Sequence, residues 1–485
     1  MFLLLGVSQA VFSQGRISFN NQQLFLNGMN VAYLSFASDI GPGSTDFAEF
    51  QTMFNAIRDN GGNSMRLWLH TTGEYTPAFD SDGIVTGPGT NAISDLRAIL
   101  DMAWERRIGL ILCLWSFDML DNARGTTVTN RSMLMLTDTS ATSAYINNAL
   151  IPIVEALRGH PGIVSWEVFN EAEGMSNEFG WDGFRHVPMR SIQRFVNRVA
   201  GAIHRADRSA QVTTGAWSFL ALSDVTPPGS IVDLPNPDQS LAPLSQEAIE
   251  LEFESVYGFQ QSADTILSRF QVAANTNYYR DDRLISAGGD PDGTLDFYTV
   301  HYYDWAGTAL SPFHHSYSTW GLTKPLVVAE FYLNDTYGVP YADMFKVLYN
   351  SGYAGAMTWQ WVNAGTQVAR TKGVMKELAD LHGSDIALSV EQLAGAIPSK
   401  YELTQNYPNP FNPSTSIDFS IPQSGYVRLG VFDMLGREVE TLVNGEYESG
   451  TYSVTWNASR YASGAYVYLL QSGDFTATKK MMIVK

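Results

Sequence analysis

From about residue 26 to residue 382 the chain repeats one pattern eight times, a short apolar run followed by a longer segment of helical spacing. Strand-length runs alternating with helices call for a parallel sheet, because each crossover returns the chain to the same edge direction and lays a helix on the sheet. Eight such units predict an α/β fold in which the sheet closes into a (β/α)8 barrel, the TIM barrel. The strands are expected at 26–33, 63–69, 109–115, 163–169, 211–217, 296–302, 325–329 and 354–359. Between them, 91–107, 140–157, 189–206 and 371–382 have helical spacing, and many begin after a capping Ser, Thr or Asn. Upstream, 16–26 reads as a hairpin turning at Asn20-Asn21 and is expected to plug the barrel floor.

A barrel needs about 250 residues, so a chain of 485 has room for an insertion and a second module. The stretch 223–292 exceeds a simple connection, opens on Pro-Pro-Gly and contains an acidic helical segment at 246–257. It reads either as a lid or cleft wall, or as an insertion without catalytic consequence, since long surface loops add little closure entropy. Past residue 383 the pattern changes to short alternating strands, including 426–433, 450–457 and 464–472, separated by Gly, Pro and Asn. That spacing predicts a small all-β, immunoglobulin-like sandwich. The expected division is a signal-peptide remnant at 1–15, the barrel at 16–385, a linker at 386–402 and the sandwich at 403–485. The signal-peptide reading rests on Phe-Leu-Leu-Leu-Gly-Val at 2–7; the usual basic segment is missing, and a short buried N-terminal strand is the alternative. Elsewhere polar and charged residues interrupt every apolar run before it reaches bilayer length.

With 49 acidic against 30 basic residues the formal net charge is -19, which disfavours attraction to nucleic-acid phosphates or anionic lipid and leaves a neutral polymer as the easier partner. The 11 Trp and 23 Tyr suit a surface that stacks on flat ligand faces such as sugars. The single cysteine, Cys113, excludes an intrachain disulfide and lies in an apolar run, so it reads as core.

Two glutamates stand where a barrel keeps its chemistry. Glu171 closes Trp-Glu-Val-Phe-Asn-Glu and Glu330 closes Leu-Val-Val-Ala-Glu, the fourth and seventh strands of the count. The C-terminal strand ends open onto the active-site face of such a barrel. A lone carboxylate there can simply cap the next helix. A pair, one preceded by Asn170 and the other following an apolar run that makes an idle charge costly, points to the two-carboxylate chemistry of glycoside hydrolysis. Glu173 lacks the preceding Asn and is expected on the loop. His314-His315 has no third ligand at metal-site spacing and reads as a solvated pair. With neither a metal cluster nor a nucleotide-binding glycine motif, no cofactor and no metal are expected.

The strand-end residues taken together resemble glycoside hydrolase family 5 of clan A over residues 16–385. The resemblance implies Glu171 as acid/base, Glu330 as nucleophile, Arg66 as the arginine that bonds the nucleophile, and Asn170 as the contact to the sugar 2-hydroxyl. It implies further that His301 and Tyr303 are the strand-six His-x-Tyr pair and that Trp359 is the platform under the sugar. Trp68, Trp115 and Trp361 are candidate subsite residues, with barrel packing as the alternative for each; Trp305 belongs with them. Trp-Gln-Trp at the end of strand eight and the run 288–298 before His301 resemble the β-mannanase side of the family. An endo-β-mannanase is therefore expected, with a β-1,4-glucanase or an exo-acting β-mannosidase or β-glucosidase as alternatives, and a catalytically dead carbohydrate-binding protein as the non-enzyme alternative. Tyr-Pro-Asn-Pro-Phe-Asn-Pro-Ser-Thr at 407–415, Val-Phe-Asp-Met-Leu-Gly-Arg-Glu-Val at 431–439 and the ending Lys-Lys-Met-Met-Ile-Val-Lys resemble the sorting domain of the type IX secretion system. This implies the secretion machinery as a partner and a secreted or cell-surface location.

Overall fold

The computed structural model describes residues 15–19, 22–41, 43–225, 275–361, 365–386, 390–393, 398, 400–458 and 461–484, with isolated residues between 246 and 263. Eight parallel strands close a barrel in sequence order: β1 (Leu26–Val31), β2 (Ser64–Thr71), β3 (Gly109–Ser116), β4 (Ile163–Asn170), β5 (Val212–Ala216), β6 (Tyr298–His301), β7 (Leu326–Glu330) and β8 (Gly355–Thr358). Each lies within its expected run or slips from it by a residue or two. The strands are apolar almost throughout because their outer faces meet helices and their inner faces meet one another. Ile111, Leu112, Val168, Val300, Val327 and Val328 are all fully buried.

Three crossovers illustrate how local sequence sets the helices. Phe47–Asp59 starts where the Asp46 carboxylate accepts from Glu49 N, and buries Phe50, Met53, Phe54 and Ile57 on one face. Met189–Ala206 has the expected bounds. The segment 140–157 is helical but is preceded by an unanticipated helix, Gly125–Thr137, and the two are divided at Asp138, whose side chain caps the second. Crossover six departs from the repeat. It carries only short 3-10 turns at Asp304–Ala306, Thr308–Leu310 and Tyr317–Trp320, because Gly307, Pro312 and Gly321 interrupt every longer helical run.

Ile17–Phe19 and Gln22–Leu24 are the strands of the expected hairpin, whose turn residues lie outside the described residues. Phe19 packs edge-on against Trp104 and sits where a side chain at Gly109 would collide, while Gln211 donates to Ser18 O. The strand therefore covers the N-terminal ends of β3 and β5. Most of the 223–292 insertion, including most of the helical segment expected at 246–257, falls outside the described residues, as does 1–14.

Contacts divide the chain into two compact units, one built on Phe25–Leu378 and one on Ala379–Lys485. The second contains two four-stranded antiparallel sheets. Alternate residues such as Ile417, Phe419, Val427, Leu429, Val431, Val454, Trp456 and Leu470 form its core. Part of the stretch expected as linker is a strand instead: Val390–Leu393 pairs antiparallel with residues 451–454.

Candidate active site

The site grows from an ion pair inside the barrel. Arg66 on β2 and Glu167 on β4 are both fully buried, and two guanidinium nitrogens meet the two carboxylate oxygens at 2.6 and 2.9 Å. Burial opposes the arginine's charge, but the Glu167 carboxylate more than offsets this and holds it protonated. Gly215 on β5 makes the space for this pair. A Cβ there would lie 2.6 Å from Glu167 Oε1 and 3.2 Å from Arg66 Nη2.

The remaining donors of Arg66 reach toward the C-terminal mouth. Nη1 donates to Asn30 Oδ1 at 2.9 Å and to Glu330 Oε2 at 3.1 Å, and Nη2 donates to Asn170 Oδ1 at 2.8 Å. One planar cation thus fixes the ends of strands β1, β4 and β7 relative to one another. Glu330 is held on its other oxygen by Tyr303 Oη, which donates to Oε1 at 2.5 Å. Glu171 stands across from it, in the left-handed backbone region at φ 49° and ψ 47°. Such a conformation costs a non-glycine residue about 1–2 kcal/mol and persists at sites that need it. Its amide donates to Gly215 O at 2.9 Å, and its Oε1 lies 2.6 Å from His301 Nδ1.

The two carboxylates differ in their surroundings. Burial pushes Glu171 up to about 8; Arg66 opposes the rise, while Asp118 and Glu167 add to it. Burial also raises Glu330 and Glu171 adds to the rise, while His301, Arg66 and the Tyr303 hydroxyl oppose it. His301 is driven down to about 4 by burial and is neutral at pH 7. Glu171, His301 and Glu330 offer ligand atoms within 4.8 Å of one another. A cation already serves this cluster, since Arg66 and Tyr303 between them occupy both oxygens of Glu330.

The structure therefore brings Arg66, Asn170, Glu171, His301, Tyr303 and Glu330 together. It treats the tryptophans differently. Trp359 is partly exposed beside Trp68, with ring centroids 5.8 Å apart, in a cluster with Ala32, Cys113, Tyr33 and Phe36. Cys113 is core, as expected. Trp115 is a correction: it is 0 % exposed, wedged between His70 and Tyr145, so it offers a ligand no surface. Trp361 is tied outward, its Nε1 donating to Glu49 Oε1 on the first crossover helix, with Lys372 over its ring. Glu173 lies on the loop after β4, as expected, but is not solvent-exposed there. It is buried in the turn Ala172–Met175, where it accepts from Tyr279 Oη and from Trp217 N, so both of its oxygens are engaged.

Sequence reasoning missed Glu167 and Asn30. A signal for Glu167 was present: a carboxylate in mid-strand between Trp166 and Val168 needs a buried cation, and Arg66 is the sole Arg or Lys within the eight barrel strands.

Two buried carboxylates at the mouth of a closed eight-stranded barrel, one clamped by an arginine and a tyrosine, are the apparatus of a barrel glycoside hydrolase. Comparison with known proteins narrows this. The chain is 32% identical over 365 residues to mannan endo-1,4-beta-mannosidase of Mytilus edulis, spanning 71% of this chain and 85% of that protein. Among solved structures, the beta-1,4-mannanase of the sea hare Aplysia kurodai superposes with a TM-score of 0.60 at 30% identity, covering 77% of this chain and 98% of that one. The beta-mannanase of Mytilus edulis gives 0.58 at 29% identity, covering 76% and 97%. Residues 405–484 match the secretion system C-terminal sorting domain. This chain belongs to the mannan endo-1,4-β-mannosidase family of glycoside hydrolases and ends in a secretion sorting domain. Among the described residues no helix is long and apolar enough to cross a membrane.

Proposed function

We propose that the protein cleaves internal β-1,4-mannosidic bonds of mannan-type polysaccharides by double displacement, with Glu171 as acid/base and Glu330 as nucleophile. The observation that carries the roles is the closeness of the two carboxylates. Oxygens of Glu171 and Glu330 lie within 4.8 Å of each other, which suits the retaining spacing of about 5–5.5 Å and leaves no room for the water an inverting enzyme places between them.

In the resting site Glu171 holds a proton at pH 7 and neutral His301 sits against it. Glu330 is the anion, stabilised by Arg66 and Tyr303. When the glycosidic oxygen departs it takes the Glu171 proton, and a Glu330 oxygen bonds the anomeric carbon to give a glycosyl ester. Ester formation removes the negative charge of Glu330, and the loss of a like charge nearby favours ionisation of Glu171. The Glu171 carboxylate then takes a proton from water, whose oxygen attacks the same carbon and releases the sugar with net retention. Asn170, fixed by Arg66, faces the sugar 2-hydroxyl, and Trp359 lies under the ring. The C-terminal sandwich directs export through the type IX machinery and places the enzyme outside the cell, where mannan is found.

Product analysis on mannan, glucomannan and carboxymethylcellulose tests this reading, with Glu171→Gln as control. Mixed manno-oligosaccharides from the native protein, and a large loss in the variant, are expected. Cello-oligosaccharides alone, monosaccharide alone, or an unimpaired variant would each overturn a part of it.

A further inference from the structure

Ser116 closes β3 and is fully buried, and Asp118 follows it, half-buried at the rim. A serine hydroxyl has one proton to give. Here it goes to Asp118 Oδ2, 2.5 Å away. With that proton committed, Ser116 Oγ can only accept at its other contact, Asn170 Nδ2 at 3.3 Å. On the far side of the same amide, Arg66 Nη2, which can only donate, holds Asn170 Oδ1 at 2.8 Å. The amide is thereby set in one of its two flipped orientations by partners that cannot exchange roles. One amide N–H remains without a partner among the described residues.

We propose that Asp118 is a positioning residue for the reaction: acting through Ser116, it aligns the Asn170 amide so that its remaining N–H meets the substrate hydroxyl beside Glu171. The inference rests on the site reading given above. An ionised Asp118 has no proton to give and can only accept from Ser116. Burial lifts its carboxyl to about 6, with the Ser116 hydrogen bond and Arg124 opposing the rise, so the anion prevails at neutral pH. The chain of bonds therefore has a fixed direction, from amide to hydroxyl to carboxylate. A contact that strengthens as the ring flattens acts on kcat more than on KM, and an amide free to swing loses that contact.

The test is a double-mutant cycle on the full-length protein with soluble mannan and a defined manno-oligosaccharide. Ser116→Ala, Asp118→Asn and the double variant are compared, each at its own pH optimum, with thermal unfolding as a check on folding. Each single change is expected to lower kcat about tenfold with KM altered less than about twofold, and the double variant should lose little beyond Asp118→Asn alone. Ser116→Thr, which keeps the hydroxyl, should recover most of the kcat lost in Ser116→Ala. Multiplying losses in the double variant would overturn the proposal, since the residues would then act independently. So would a neutral Ser116→Ala beside a damaging Asp118→Asn, which would mean that Asp118 acts on substrate or on Glu171 without Ser116. A loss confined to KM, no loss, or no recovery with threonine would also overturn it. Activity that survives in Glu330→Gln strikes the underlying site reading instead and is scored separately.

Discussion

Gly215 has no chemistry of its own, yet replacing it with alanine should damage both stability and turnover. The added Cβ would lie 2.6 Å from Glu167 Oε1, 3.1 Å from Phe169 O and 3.2 Å from Arg66 Nη2, against ordinary carbon contacts of roughly 3.5–4 Å. Backbone on one side leaves the Glu167 side chain as the group that yields. It cannot move without stretching its bonds to Arg66 at 2.6 and 2.9 Å. Overpacking costs about 1–3 kcal/mol, and weakening a charge-assisted hydrogen bond adds about 1–2 kcal/mol, giving a destabilisation of about 2–5 kcal/mol. At roughly 2 °C per kcal/mol for a domain this large, the Tm of the barrel should fall by about 4–10 °C. Because the same guanidinium holds Asn170 and Glu330, kcat should fall by about tenfold as well. Thermal unfolding followed by circular dichroism, together with kcat/KM on soluble mannan, provides the readout. Gly373→Ala is the control: it lies in the helix Gly365–His382 with nothing within 4 Å of the added methyl, and should raise stability by about 0.5–1 kcal/mol. A Gly215→Ala protein that melts with the native one and turns over at the native rate would refute the account of the Arg66–Glu167 pair.

The pH dependence carries a second expectation. Activity should fall on the alkaline side with a midpoint of about 8, as Glu171 loses the proton it must donate, and on the acid side as Glu330 becomes protonated. A folded-state pKa raised from 4.5 to about 8 also means that Glu171 favours folding at low pH and loses that contribution as pH climbs between those values. Glu171→Gln should therefore gain stability relative to the native protein as pH rises from 4.5 to 8, measured by denaturant unfolding; a constant difference across that window would contradict the assignment. The tryptophans make a third test. Trp359→Ala should lower kcat/KM about tenfold with little change in Tm, whereas Trp115→Ala should destabilise the barrel by about 3–5 kcal/mol, and the reverse outcome would exchange their roles.

Much of this molecule could be read before its structure, and the reasons differ by feature. The eight strands were legible because each is a short, largely apolar run between helical segments, and the site was legible because Glu171, His301, Tyr303, Trp359 and Glu330 mark strand ends or the residues beside them. Pattern alone could not rank the tryptophans. Trp68 and Trp115 both sit in buried barrel strands, and only the packing of His70 and Tyr145 around Trp115 decides that it is core. The burial of Glu173 on its loop was not legible because its partners, Trp217 N and Tyr279 Oη, come from elements 44 and 106 residues away. The Arg66–Glu167 pair was overlooked because both residues lie in strand interiors, where attention goes to apolar packing. The strand Val390–Leu393 was hidden because four residues are too few for a convincing alternation.

The central claim is that Glu330 becomes covalently bonded to the sugar. A 2-deoxy-2-fluoro-β-mannosyl fluoride, which forms the glycosyl ester quickly and hydrolyses it slowly, should inactivate the protein and add one fluorosugar to the peptide containing Glu330, located by mass spectrometry. Rapid inactivation with the label on another carboxylate, or turnover on mannan that yields the inverted anomer by NMR, would contradict the account.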